Sequence, residues 1–508
     1  MKGLELKRAM LAGVWASMVF AAFAGVEMGA PFTEGAVLQR GMRAPVWGRV
    51  TDAGPGVSVE VAFAGQVKTA AADAKTGAWR VDLDPLEASR EGRTMTVRER
   101  RSGSIAGEVA IGDVLVGEVW IASGQSNMEC PIWGGSPRYR DGKGGFMTAM
   151  TRLPDVRFVS VANVWSVEPR AQRAEWRKFV PADLAKGKAI SAVAFYYARE
   201  LHLALGIPIG IVSANWGGTN IDAWTPRCGY EGCDPSIRET AEYPVKADWD
   251  AQTGRKGPIG GPNQQPTVLF NGMVAAFAPM AARGFIWYQG CHNSGESHLY
   301  CAKMHALYNG WSRAFENPGF RLYLVELAPW RSSWTGICAA QNRFVAEQPN
   351  AAIAVTADVG NFDDIHPNDK ETVAQRLAVH ALKRDYGFDI GEDCSPVFKS
   401  VEFADGKATL RFDHVRNWYV YAPDRSRAAA FELAGADGVW QPAQIVNFRQ
   451  WKDKSGKLVT TDCIDGPAIV LASDGVAAPT KVRYMGRPRT AGTMYNEASL
   501  PLGAFETK

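Results

Sequence analysis

Val114-Leu115-Val116-Gly117-Glu118-Val119-Trp120-Ile121-Ala122-Ser123-Gly124-Gln125-Ser126-Asn127-Met128 is a largely apolar run that ends in a loop. Val114–Ala122 predicts a strand, and Gly124 opens a turn behind it. Shorter apolar runs follow at Ile209–Ala214, Gly284–Tyr288, Leu322–Leu327 and Ala351–Thr356. Helical patterns lie among them. Ser191 to Leu205 predicts a helix, with Ser191 as N-cap and Gly206 just past its end. Asn368 to Tyr386 predicts another, with Val373, Leu377 and Ala381 on one face, a capping box of Asn368 and Glu371, and Gly387 as its stop. Strands alternating with helices make an α/β fold whose parallel sheet is covered on both faces. In such sheets the reactive groups sit on loops beyond the carboxyl ends of the strands.

On either side of this region the period changes to two. Val57, Val59, Val61 and Phe63 alternate with smaller or polar residues, and Trp79, Val81 and Leu83 do the same. Clusters such as Asp52-Ala53-Gly54-Pro55-Gly56 separate these runs, as expected of a small antiparallel β domain. Leu410, Phe412 and the run Ala468–Leu471 predict a second β region near the C-terminus. With 508 residues the chain is too long for one ordinary domain. The expected division is a leader at 1–24, an N-terminal β domain at 25–111, the α/β domain at 112–392 and a C-terminal β region at 393–508. Hydrophobic residues at 46% and charged residues at 21% exclude a disordered or fibrous chain. Lys and Arg total 56 against 53 for Asp and Glu, so no broad basic surface is forced and nucleic acid is not an expected partner. The 17 tryptophans suit either cores or sugar-stacking surfaces.

Lys2, Lys7 and Arg8 precede an apolar run from Ala9 to Phe23, and Ala22-Phe23-Ala24 provides an A-x-A cleavage site. This is the pattern of a secretory signal peptide, with an uncleaved anchor as the alternative. The expected mature chain begins near Gly25, is periplasmic or secreted, and has no membrane attachment. Export permits disulfides. Cys228 and Cys233 are a plausible local pair among the eight cysteines, whose connectivity spacing alone cannot give. No CxxC pair or HExxH is present, so a zinc site is not expected.

Four junctions between strands and loops carry side chains suited to chemistry. Gly124-Gln125-Ser126-Asn127-Met128 places a serine on a tight turn, although the second glycine of a G-x-S-x-G elbow is missing. Asn215-Trp216-Gly217-Gly218-Thr219 lets the backbone approach a ligand closely. In Gln289-Gly290-Cys291-His292-Asn293, Gln289 or Asn293 offers an amide donor. Asp363-Asp364-Ile365-His366-Pro367 sets a histidine beside two carboxylates. A carboxylate that holds one ring nitrogen leaves the other to take a proton from Ser126.

Taken together, Gly124-Gln125-Ser126-Asn127-Met128, Trp216-Gly217-Gly218-Thr219, Trp287-Tyr288-Gln289-Gly290 and Asp364-Ile365-His366-Pro367 resemble the sialate O-acetylesterase family, part of the SGNH hydrolases. Val37-Leu38-Gln39-Arg40 with Pro45-Val46-Trp47-Gly48 looks like the family's N-terminal β region. Phe431 to Gly438 and Val482-Arg483-Tyr484 look like its C-terminal one. The resemblance implies a three-layer α/β/α SGNH domain between β domains. It also implies Ser126 as nucleophile, His366 as base, and an oxyanion hole from the Ser126 N–H, a glycine N–H at Gly217 or Gly218, and the side chain of Gln289 or Asn293. No metal or cofactor is implied. Where the family reads Gln-Gly-Glu-Ser-Asn, this chain has Cys291 and His292 after Gly290, which leaves the amide donor open. The D-x-x-H spacing favours Asp363 as the partner of His366, with Asp364 and Asp358 as competitors.

The expected activity is removal of O-acetyl groups from sialic acids through an acetyl-enzyme. The alternatives are an acetylxylan or other polysaccharide esterase and a non-catalytic carbohydrate-binding protein. A sialic acid carboxylate calls for a cation, and Arg227 near Trp224 or Arg331 beside Trp330 is the expected source.

Overall fold

The computed structural model describes residues 25–134, 141–247, 261–332, 334–421 and 430–507. The expected leader at 1–24 lies outside them. The strand predicted at Val114–Ala122 is the end of a much longer one, β1 (Ser104–Gly124). It is followed by β2 (Leu153–Ser160), β3 (Arg177–Phe179), β4 (Ile209–Asn215), β5 (Gly284–Tyr288), β6 (Arg321–Val325) and β7 (Ala351–Ala354). Their order across the sheet is β3-β2-β4-β1-β5-β6-β7, parallel throughout except for the edge strand β3. β4 and β5 are buried along their whole length, which explains their unbroken apolar sequence.

The helices that cover the sheet come in two packed pairs. α2 (Ala192–Leu205) packs on α5 (Lys370–Arg384), and α3 (Ser297–Ala314) packs on α4 (Thr335–Glu347). Ser191 caps α2 as predicted, accepting the Ala194 N–H at 3.1 Å, and Gly206 ends it with φ of 67°. The cap of α5 is Asp369 rather than Asn368. Its carboxylate accepts the Thr372 N–H at 3.0 Å.

β1 also belongs to the N-terminal β region. Its first half pairs antiparallel with Ser89–Arg101, and Val37–Gln39 runs parallel to Leu115–Gly117. The expected boundary between residues 111 and 112 therefore falls inside one strand. A single apolar core runs from Ala30 to Ala381 through both regions. Glu118, fully buried in β1, joins them through Arg40 at 2.6 Å, Gln39 at 2.8 Å and Arg283 at 3.1 Å. The C-terminal strands have a separate core around Leu410, Trp418, Phe431 and Tyr484. Five tryptophans, Trp120, Trp224, Trp287, Trp311 and Trp418, are among the largest fully buried side chains, so they serve packing. All eight cysteines are free thiols, Cys228 and Cys233 included. Among the described residues no helix is long and apolar enough to cross a membrane.

Candidate active site

The carboxyl ends of β4, β1 and β5 lie level, with Asn215 and Tyr288 both paired to Gly124. β1 is the strand at which the sheet order reverses, where loops from its two neighbours diverge and leave a crevice. Gly124 has φ of 141°, and a Cβ there would lie 2.3 Å from the Tyr288 carbonyl. Only glycine fits that approach, and it delivers Ser126 to the start of the short helix α1 (Ser126–Glu129).

His366 reaches the same place from the long loop between β7 and α5. Its Nε2 lies 2.9 Å from Ser126 Oγ. Its Nδ1 faces Asp364 Oδ1 at 3.4 Å, and the same oxygen accepts the His366 backbone N–H at 2.9 Å. Asp363 instead points outward to Arg489 at 2.6 Å, and its side chain is 81% exposed. Asp358 is held by the two terminal guanidinium nitrogens of Arg376, each at 2.7 Å. Asp364 is therefore the carboxylate beside the ring. Burial pulls His366 below its ordinary pKa, the Lys370 ammonium adds to that, and Asp364 opposes both.

Gln125, Ser126, Glu129, Gly217, Gly218, Cys291, His292, Ile365 and His366 line one cavity of about 590 Å³. Three of the four motifs quoted from the sequence thus meet here with the His366 loop, and all four are wired together beneath it. Gln125 Oε1 accepts the Gly290 N–H at 3.0 Å and the His292 N–H at 3.4 Å. Asn127 donates to the Ile365 carbonyl at 3.0 Å and accepts from the buried Lys370 ammonium at 2.6 Å. Burial pushes Lys370 down to about 8.

A family profile described as "Carbohydrate esterase, sialic acid-specific acetylesterase" matches residues 116–383, more than half of the chain. The chain belongs to this family. Sialate O-acetylesterase of Mus musculus is 27% identical over 452 residues, covering 80% of this chain and 82% of its own. The Homo sapiens enzyme is 27% identical over 439 residues, covering 79% of each. A crystal structure of a carbohydrate acetylesterase from Xanthomonas citri superposes with a TM-score of 0.77 at 30% identity, covering 95% of this chain and 99% of that one. The protein is a carbohydrate O-acetylesterase, a carboxylic-ester hydrolase.

The remaining expected site residues are placed differently. Neither Gln289 nor Asn293 lines the esterase's cavity. The Gln289 amide donates to the Thr219 carbonyl at 3.1 Å and to Asn293 Oδ1 at 2.8 Å, and it accepts from Tyr300 at 2.7 Å. Asn293 accepts the Ile221 N–H at 3.0 Å and donates to Glu296 at 3.0 Å. Both amides are spent on joining the second and third motifs. Below them Lys303 bridges Asp222 and Glu296 at 2.8 Å each.

The glycine amides differ from each other. The Gly217 N–H donates to Glu129 Oε2 at 2.6 Å, whereas the Gly218 N–H has no acceptor among the described residues. Trp224 is buried, and its indole N–H donates to Thr219 Oγ1 at 3.0 Å. Arg227 donates to the Ala241 and Tyr243 carbonyls at 2.6 and 2.8 Å. Trp330 stacks on Trp334 at 5.6 Å with Arg331 over it at 4.7 Å, beside Met485 and Arg487 rather than in the cavity. Sequence reasoning missed Glu129, Asn127 and Lys370. The first two lie in or beside the quoted motif, but nothing in their spacing marks them.

Cys301, His305 and Glu347 bring ligand atoms close enough for a metal ion, as do Glu392, Cys394 and His414. A guanidinium already contacts each group, Arg343 on Glu347 at 2.8 Å and Arg384 on Cys394 at 3.0 Å. Neither group lines the cavity.

Proposed function

We propose that the esterase deacetylates its sugar through Ser126, His366 and Asp364. The observation that carries this is the 2.9 Å contact from Ser126 Oγ to His366 Nε2 at the mouth of a cavity edged by glycine amides. Ser126 Oγ attacks the acetyl carbonyl and its proton passes to His366 Nε2. The ring keeps its Nδ1 proton toward Asp364, which steadies the imidazolium that forms. The Gly218 N–H and the Ser126 backbone N–H supply the oxyanion hole. Collapse breaks the bond to the sugar oxygen, which takes the proton from His366 and leaves acetyl-Ser126. Water, giving its proton to the same ring, attacks the acetyl carbon; the bond to Ser126 Oγ breaks, His366 returns that proton to Oγ, and acetate is released. In this reading the two helix pairs flank the parallel sheet as the outer layers of an SGNH α/β/α domain, residues 1–24 are removed on export, and the enzyme works in the periplasm or outside the cell.

Membership of the family and the sialate esterases among its relatives support O-acetylated sialic acid as substrate. A second reading, a neutral acetylated glycan, is favoured by the charge of the cavity. Among the described residues no Lys or Arg lines it, Glu129 does, and both expected arginines point elsewhere. Ser126→Ala should abolish acetate release and fluorophosphonate labelling without unfolding the protein. Labelling that persists at another serine would sink the nucleophile. Competition between O-acetylated sialic acid and acetylated xylo-oligosaccharide at equal acetyl concentration separates the two substrates. A clear preference for the xylo-oligosaccharide removes the sialate reading.

A further inference from the structure

Glu129 ends α1, three residues after Ser126, and its side chain is 21% exposed toward the cavity. The carboxylate is held from two sides. Oε2 accepts the Gly217 N–H at 2.6 Å, and Oε1 accepts the Asn163 side-chain amide at 2.9 Å. Asn163 is held in turn by Lys188, whose ammonium donates to Asn163 Oδ1 at 2.6 Å and to the Val161 carbonyl at 3.0 Å. That ammonium lies 3.9 Å from Glu129 Oε1. A relay therefore runs from the loop after β2 to the turn after β4, with Glu129 as its middle link.

The turn is unusually close to the nucleophile. A Cβ on Gly217 would lie 3.0 Å from Glu129 Oε2 and 3.3 Å from Ser126 Cβ. The next residue, Gly218, has φ of 70° and carries the amide that has no acceptor among the described residues. The direction of that amide depends on where Gly217 is pinned, because consecutive peptide planes share one Cα. Oxyanion stabilisation depends on donors held in place before charge develops.

We propose that Glu129 is a positioning residue for the hydrolysis: by accepting the Gly217 N–H it clamps the Trp216–Gly218 turn against α1 and so aims the Gly218 N–H at the developing oxyanion. This rests on the Ser126 reading. Glu129 takes no proton and forms no bond to substrate. In the reaction it acts through the turn, so with an uncharged acetyl ester as substrate its loss affects the transition state rather than substrate binding.

Kinetics of Glu129→Ala, Glu129→Gln and Asn163→Ala in the full-length enzyme, each checked for an unchanged fold, test this. Glu129→Ala should lower kcat about 100-fold, the cost typical of a misplaced catalytic group, with KM within about twofold. Fluorophosphonate labelling of Ser126 should slow in parallel. Glu129→Gln keeps an oxygen for Gly217 but turns hydrogens toward Asn163, so it should recover part of the loss. Asn163→Ala removes one anchor of the carboxylate and should show a smaller loss, also in kcat. If Glu129→Ala retains kcat within about threefold, or loses only in KM, the proposal is overturned. Should Glu129→Ala not fold, a folded Asn163→Ala with unchanged kcat overturns it instead. Absence of label at Ser126 in the wild-type enzyme would be a different failure, that of the nucleophile assignment itself.

Discussion

The imidazole of His366 needs one nitrogen free of its proton and a ring that cannot rotate away. Ser126 Oγ at 2.9 Å from Nε2 meets the first need only if the other nitrogen keeps its proton, and Asp364 at 3.4 Å from Nδ1 is the group that holds it there. Asp364→Asn should therefore lower kcat/KM by about 100-fold, within the range of general-base effects. Asp363→Asn should stay within about twofold, because its pairing with Arg489 is exposed and such pairs contribute little. Steady-state rates of the two variants decide between them, and a larger loss for Asp363→Asn would reverse the assignment. The D-x-x-H spacing pointed to Asp363 because it counts residues. It does not see that the Asp364 carboxylate also accepts the His366 backbone N–H at 2.9 Å, folding the loop back on itself. That local hydrogen bond makes the nearer carboxylate the partner and turns Asp363 to solvent.

Among the elements, α5 does more than cover the sheet. Its first residue, Lys370, is fully buried, lies 5.4 Å from the Tyr288 ring and donates to Asn127 at 2.6 Å. Asn127 in turn holds the Ile365 carbonyl, so the start of α5 fixes the His366 loop against α1. The same ammonium disfavours imidazolium at His366. Since His366 as the proposed base must be neutral, activity should fall as pH drops through its pKa, which lies below the ordinary histidine value. Lys370→Met removes the ammonium, so that pKa should rise and the acid limb of kcat/KM should move to higher pH. The pH–rate profiles of both proteins measure this, and an acid limb moving downward would contradict it. The end of α5 was readable from Val373, Leu377, Ala381 and Gly387. Its start was not, since Asn368 and Asp369 are both good caps and only the contact to Thr372 at 3.0 Å selects Asp369.

At the scale of the whole molecule, β1 builds the N-terminal strands and the parallel sheet on one apolar core, so the two regions should unfold together. Glu118 joins them without solvent contact, and its partners Arg40 and Arg283 are about a third exposed. Removing the carboxylate leaves two guanidiniums facing a buried gap. The full cost of breaking a buried pair is about 3–5 kcal/mol, and partial exposure of the arginines reduces it to about 2–3 kcal/mol. Glu118→Ala should lower the unfolding free energy by that amount, with the N-terminal strands and the parallel sheet melting in one transition, while the folded enzyme keeps its rate. Two separate transitions, with the N-terminal strands melting first, would show that the shared core does not couple the regions.

The sequence alone carried the alternation of apolar runs and helices, the caps at Ser191 and Gly206, and the four motifs that resemble a carbohydrate esterase family, because periodicity and turn chemistry are local properties. α3 is not among the helices that this local view predicts. Tyr300, Met304, Leu307 and Trp311 have helical spacing, but Lys303 is buried among them, paired to Asp222 and Glu296 from distant parts of the chain. Only the tertiary structure decided that β1 crosses the expected boundary, that Asp364 rather than Asp363 faces the His366 ring, and that Gln289 and Asn293 are spent as struts while Glu129 takes the Gly217 N–H. Each of these depends on which donor meets which acceptor across more than one element. A side chain's hydrogen-bonding capacity is written in its residue type, but the partner that uses it is set by packing.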